Sequence, residues 1–239
     1  MAHDTDSTPL SSDDIGRDSG MSRRQMLAAA GAVAGAGLVP AGAAAEQSGS
    51  SGRVVGVAPQ GGTAAEFRAR FAQTGETGEH FVGYGYLTAA QGTTDADLFA
   101  SATQNDATAL LTAYAAGELV RRTVDQSVHS IDIEGTLTIY QRSAPGASFG
   151  DPDSFRVGTP VARFAVALQD IVTVFAPGRG LPTLNGDLRQ TTADQLNGGP
   201  GRMFGHPGLR ARLFATGIGT LVDPVRLNSV LEMAGQWTT

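Results

Sequence analysis

From Val128 to Tyr140 every second residue changes character, and no other feature limits the fold so strongly. His129, Ile131, Ile133, Gly135, Leu137 and Ile139 fall on one face; Ser130, Asp132, Glu134, Thr136, Thr138 and Tyr140 fall on the other. A period of two over 13 residues fits a half-buried strand and not a helix. The pattern returns between Val161 and Ala176, where Ala162, Phe164, Val166, Leu168, Val172 and Val174 share a face opposite Arg163, Gln169 and Thr173.

Shorter alternating runs fill most of the remaining chain. His80–Ala89, Thr108–Val124, Leu209–Leu221 and Leu227–Trp237 read as strands, the last two separated by Asp223-Pro224. Ala65–Phe71 alternates too, but Thr63-x-x-Glu66 is a capping box, so strand and helix both stay open there. One short helix is expected near Thr94–Ala102, with Thr94-x-x-Asp97 at its start. Asn185-Gly186 reads as a hairpin turn between Val172–Ala176 and Asp187–Gln195.

Eight to ten strands with little helix imply an all-β domain, a closed antiparallel barrel or a β-sandwich. Glycines stand mid-strand at Gly83, Gly85, Gly117, Gly135, Gly217 and Gly219. Such glycines let long strands curve, which favours the barrel.

The N-terminal stretch obeys other rules. A polar segment ends in Ser22-Arg23-Arg24-Gln25-Met26-Leu27, and an Ala/Gly/Val/Leu run follows from Met26 to Val39. Those 14 residues fall short of the roughly 20 needed to cross a bilayer. Pro40 and Ala43-Ala44-Ala45 come next, with small residues at −3 (Ala43) and −1 (Ala45). The arrangement resembles a twin-arginine (Tat) signal peptide over residues 1–45, with Arg23 and Arg24 as the export signal and Glu46 as the new N-terminus. It implies the Tat translocase and signal peptidase as partners in export, no stable membrane anchor, and a destination in the medium, cell envelope or periplasm. Residues 46–53 are Ser/Gly-rich and read as a flexible leader; 54–239 form the barrel domain.

After such cleavage 194 residues remain, enough for one self-sufficient core. They carry 14 Arg and 18 acidic residues, a net charge of −4, which suits neither nucleic acid nor an anionic membrane. The chain has no Cys and no Lys. Disulfides, thiolate nucleophiles and Cys-metal sites are therefore excluded, as are Schiff bases and Lys-dependent phosphate loops. No dinucleotide, Walker, zincin or nucleophile-elbow motif is present, and no cofactor is expected.

His80-Phe81-Val82-Gly83-Tyr84-Gly85-Tyr86, Gly135-Thr136-Leu137-Thr138-Ile139-Tyr140 and the final glycine-bearing strands together resemble the allene oxide cyclase and dirigent group of eight-stranded barrels. The resemblance runs from Phe81 to Trp237 in strand rhythm and transfers no catalytic residue. It implies a barrel and cofactor-free cyclase or isomerase activity, in a group whose barrels are often oligomers, and leaves the oligomeric state of this chain open.

Three residues are candidates for chemistry. His129 lies on the apolar face of its strand, where it could move a proton or orient a ligand; a strand-end histidine bonded to a backbone carbonyl is the plainer alternative. Asp170 interrupts an apolar face between Leu168 and Val172, and burial there would raise its pKa. A β-bulge at Gln169-Asp170 that turns the acid outward is the preferred account of it. Tyr140 is the third, on the face that carries Asp132 and Glu134; that carboxylate pair, about 7 Å apart by strand rise, is expected to face water. His206, in Gly205-His206-Pro207-Gly208, and Asp151-Pro152-Asp153-Ser154 read as turns.

Three functions are compatible with this pattern. The leading one is an exported barrel that binds a small, mostly apolar molecule. The others are a cofactor-free isomerase or cyclase, and a structural cell-envelope protein whose barrel has no pocket. Interior volume separates the last from the first two. A polar side chain lining the cavity, with a supporting partner, separates catalysis from binding.

Overall fold

The computed structural model describes residues 53–76, 78–197, 201–223 and 228–239. The elements in chain order are β1 (Val54–Val55), β2 (Thr63–Thr74), β3 (His80–Ala90), α1 (Asp95–Leu98), β4 (Leu111–Asp125), β5 (Val128–Gln141), β6 (Thr159–Ala176), β7 (Arg179–Ala193), β8 (Met203–Phe204), β9 (Arg210–Asp223) and β10 (Asn228–Thr238). Eight of the strands close into an antiparallel barrel in the order β10-β2-β3-β4-β5-β6-β7-β9. The remaining two, β1 and β8, form a small parallel ribbon. Closure satisfies every barrel strand on both edges without an exposed edge.

The open choice at Ala65–Phe71 resolves as strand. Phe67, Ala69, Phe71 and Gln73 turn inward there, while Glu66 and Arg68 turn outward. The expected helix shrinks to the single turn α1, started by Thr94, whose backbone N–H and hydroxyl both donate to Asp97 at 2.8 and 3.0 Å. Asp97 also takes two hydrogen bonds from the Arg202 guanidinium at 2.8 and 3.1 Å. That charge-assisted bonding holds its carboxyl down at about 2.

The hairpin expected at Asn185-Gly186 lies elsewhere. Both residues sit inside β7, paired with Gln169 and Leu168 of β6. The chain reverses instead at Pro177-Gly178, where Gly178 takes φ +70°, a conformation open to glycine at little cost. Gly186 has a packing reason: a Cβ there would stand 2.3 Å from the Leu168 side chain.

A bulge in β4 decides what enters the lower lumen. Leu119 pairs with Ile133 and Arg121 with Asp132, which leaves Val120 as the extra residue. From that point the strand's phase is reversed, so Arg122 turns inward opposite Ile131 while Arg121 stays outside.

The outer face of β3 is covered as well. Tyr84 and Tyr86 point outward yet are only 6% and 4% exposed. The segment between β5 and β6 folds over them, bringing Phe149 and Phe155 within 5.5–6.1 Å of their rings. The buried Thr112 hydroxyl pins this strap by donating to the Phe155 carbonyl at 2.9 Å. Arg142 pins it again, donating to the carbonyls of Ala144, Ser154 and Val157. Asp151–Ser154 lies at the start of a 3-10 turn, Pro152–Arg156, within the same strap.

Candidate functional site

β5 delivers the face that its sequence pattern foretells. His129, Ile131, Ile133, Gly135, Leu137 and Ile139 look into the barrel, and Asp132, Glu134 and Tyr140 look out. β6 brings a correction. It pairs without register shift through Gln169 and Asp170, so no bulge rescues the acid. Phe164, Val166, Leu168, Asp170 and Val172 all point inward.

Asp170 is 2% exposed and stands level with Ile131 of β5 and Leu184 of β7. Its Oδ1 is buried without a hydrogen-bond partner. Loss of water around the charged form pushes its pKa up to about 7. His129 pairs in register with Val172, so it is the diagonal neighbour of Asp170 across the β5–β6 ladder. Burial, and then the Arg122 guanidinium, lower its pKa and favour the neutral imidazole. Arg122 is half-buried near Glu79 and donates to the Gly78 carbonyl at 3.1 Å. The lower lumen therefore gathers an arginine, a histidine and an acid, with buried Gln73 and Ser229 on the strands across from them.

Two of the three sequence candidates thus meet, and the third does not join them. Tyr140 lies 11 positions along β5 from His129 and on the opposite face, about 35 Å away by strand rise. Arg122 was not foreseen. Its signal was the Arg121-Arg122 doublet in an alternating strand, where one arginine had to break the alternation or force a bulge. Asp132 is tied to Arg121 (2.6 Å) and accepts from Gln169 Nε2 (3.1 Å) on the outside of the barrel.

Above Asp170 the lumen is packed. Among the described residues a void of about 40 Å³ is bordered by Phe67, Phe71, Leu137, Leu168, Leu213 and Trp237 among others. No charged, histidine or amide side chain lines it. Leu168 borders the void, and Asp170, the next inward residue on β6, does not. A space of this size exceeds what one water needs but falls far short of the roughly 150 Å³ that admits benzene. Among the described residues no cluster of His, Asp and Glu is arranged to hold a metal, and no helix is long and apolar enough to cross a membrane.

No family model, curated protein or solved structure matches this chain.

Proposed function

We propose that this is an exported β-barrel whose lumen is its own hydrophobic core and whose role is played on its outer surface, as a structural or interaction protein of the cell envelope. The observation that carries the reading is the lumen: long inward side chains leave a void of only about 40 Å³. Small-molecule sites usually need several hundred Å³. Export follows from the signal peptide read over residues 1–45. That segment, with Arg23, Arg24, Ala43 and Ala45, lies outside the described residues. Replacing both arginines with lysine is expected to keep the protein inside the cell, as judged by immunoblotting of cells and medium.

Native mass spectrometry of the protein purified from its own host's culture medium tests the reading. The expected spectrum is that of a chain starting at Glu46 with no small molecule attached. A stoichiometric small-molecule adduct that survives desalting would overturn it.

One observation favours a second reading, the binding of a small, mostly apolar molecule in the lumen. A packed core gains nothing from an unpartnered acid, and Asp170 is aimed into the barrel with one oxygen unbonded. A ligand that opened the void by one row would reach it. A cyclase or isomerase of allene oxide cyclase or dirigent type has less support, because no acidic, basic or histidine side chain lines the void.

A further inference from the structure

Arg122 of β4, Ile131 of β5 and Asp170 of β6 stand in one row across the inner wall of the barrel, because Ile131 pairs with both of the others. At about 4.8 Å between neighbouring strands, the backbones of Arg122 and Asp170 are roughly 10 Å apart. An arginine side chain is long enough to cover most of that gap, but here it points elsewhere. Its Nη2 donates to the Gly78 carbonyl at 3.1 Å, beside Glu79, in the turn between β2 and β3. Gly78 is buried, and its carbonyl also accepts from Gln73 Nε2 at 3.3 Å. Arg122 thus ties down the turn that borders the lower end of the lumen.

Asp170 lacks what Arg122 can give. It is 2% exposed, and its Oδ1 has no hydrogen-bond partner. The polar side chains across the lumen are already committed, since the Ser229 hydroxyl donates to Gln73 Oε1 at 3.4 Å and the Gln73 amide serves Gly78. Among the described residues the titratable groups on the inner faces around Asp170 are Arg122 of β4 and His129 of β5. β7 contributes Pro182 and Leu184, β10 contributes Ser229 and Leu231, and Glu79 lies beyond them in the turn. His129 is the diagonal neighbour of Asp170 and close enough to the Arg122 guanidinium to feel its charge. The guanidinium therefore stops about one residue short of the acid. Burial pushes the Asp170 pKa up to about 7, so the acid changes charge near neutral pH.

We propose that Arg122 is a latch with two positions: it holds the Gly78 carbonyl while Asp170 is protonated, and swings past His129 to pair with Asp170 when that acid ionises. A guanidinium bonds a carboxylate more strongly than a neutral carbonyl, and a buried carboxylate without a partner is costly. The pairing offsets part of that cost. Protonated Asp170 predominates below about pH 7, so the turn is held there and loosened above it. The device needs no ligand and goes beyond both readings of the function.

The test is an NMR titration of the purified, folded protein from pH 5 to pH 9. It follows the Asp170 side-chain carboxyl, the Gly78 carbonyl carbon and the Arg122 Nε–H group. The three should shift with one midpoint, and the Gly78 carbon should move upfield as it loses a hydrogen bond. A Gly78 carbonyl and an Arg122 Nε–H that stay still while Asp170 titrates would overturn the latch. Asp170→Asn should hold Gly78 at its acid position, and the same shift in that variant would also overturn it. Arg122→Gln should raise the Asp170 midpoint, because the ionised acid then has no partner; an unchanged midpoint counts against the proposal. His129→Gln should leave the Gly78 shift in place, and its loss would make the histidine the sensor instead. The wild-type titration decides the question even if no variant folds.

Discussion

Asp170 is the residue whose energetics are least like those of its neighbours. Its folded pKa, about 7, lies above the ordinary carboxylate value of 3.8. The folded state therefore binds the proton more tightly than the unfolded chain does. Asp170 is harmless below about pH 4, and its cost grows as pH rises through 7 before levelling off. With about 1.4 kcal/mol for each pKa unit, the full cost is roughly 4 kcal/mol. Asp170→Asn removes the titration. Its urea-unfolding free energy, measured relative to wild type, should therefore improve progressively from pH 4 to pH 7 and change little above pH 8. A difference that is flat with pH would mean that Asp170 is solvated or paired. Nearby, Arg122→Gln removes the second of the two influences that lower the His129 pKa. The NMR titration of the His129 ring should then move upward, while burial still keeps it below its ordinary value.

The strap between β5 and β6 shows how an element can be held by a few contacts. Phe155 is fully buried against Tyr84 and Phe149, at 5.5 and 5.1 Å between ring centres. Phe155→Ala should cost about 3–5 kcal/mol, as large-to-small changes at buried aromatics generally do. The barrel's own hydrogen-bond ladder does not depend on this strap. Limited proteolysis of the variant should therefore cut first between Arg142 and Gly158, and the strands should resist longer. Simultaneous loss of strap and barrel would show that the two unfold as one unit. The β4 bulge acts at the same scale through one extra residue, Val120, which determines which arginine enters the lumen.

For the whole molecule the lumen is the informative volume. If the void of about 40 Å³ is a packing defect, filling it should stabilise the fold. At about 24 cal/mol per Å³ it is worth about 1 kcal/mol. Ala115 borders it on β4, where a β-branched side chain suits the strand. Ala115→Val should raise the unfolding midpoint slightly and leave the circular dichroism spectrum unchanged. A clear loss of stability would show that the void's shape is not free to be filled.

The sequence by itself determined the all-β class and the inward and outward faces of β5. Side-chain alternation is a local property, and a strand exposes it without reference to any partner. It placed His129 inward and set Asp132 and Glu134 on the solvent side for the same reason. Only the tertiary structure decided the rest. The turn moved from Asn185-Gly186 to Pro177-Gly178 because pairing over the full length of β6 and β7 outweighs a two-residue turn preference. Asp170 stayed inside because no extra residue in its neighbours allowed a bulge. Whether the barrel is hollow or full depends on how side chains from eight strands meet at one axis, and no single strand carries that information. Nor could the sequence foresee that Arg122 and Asp170, far apart along the chain, would flank Ile131 at one level of the lumen; register between strands is fixed only when the barrel closes.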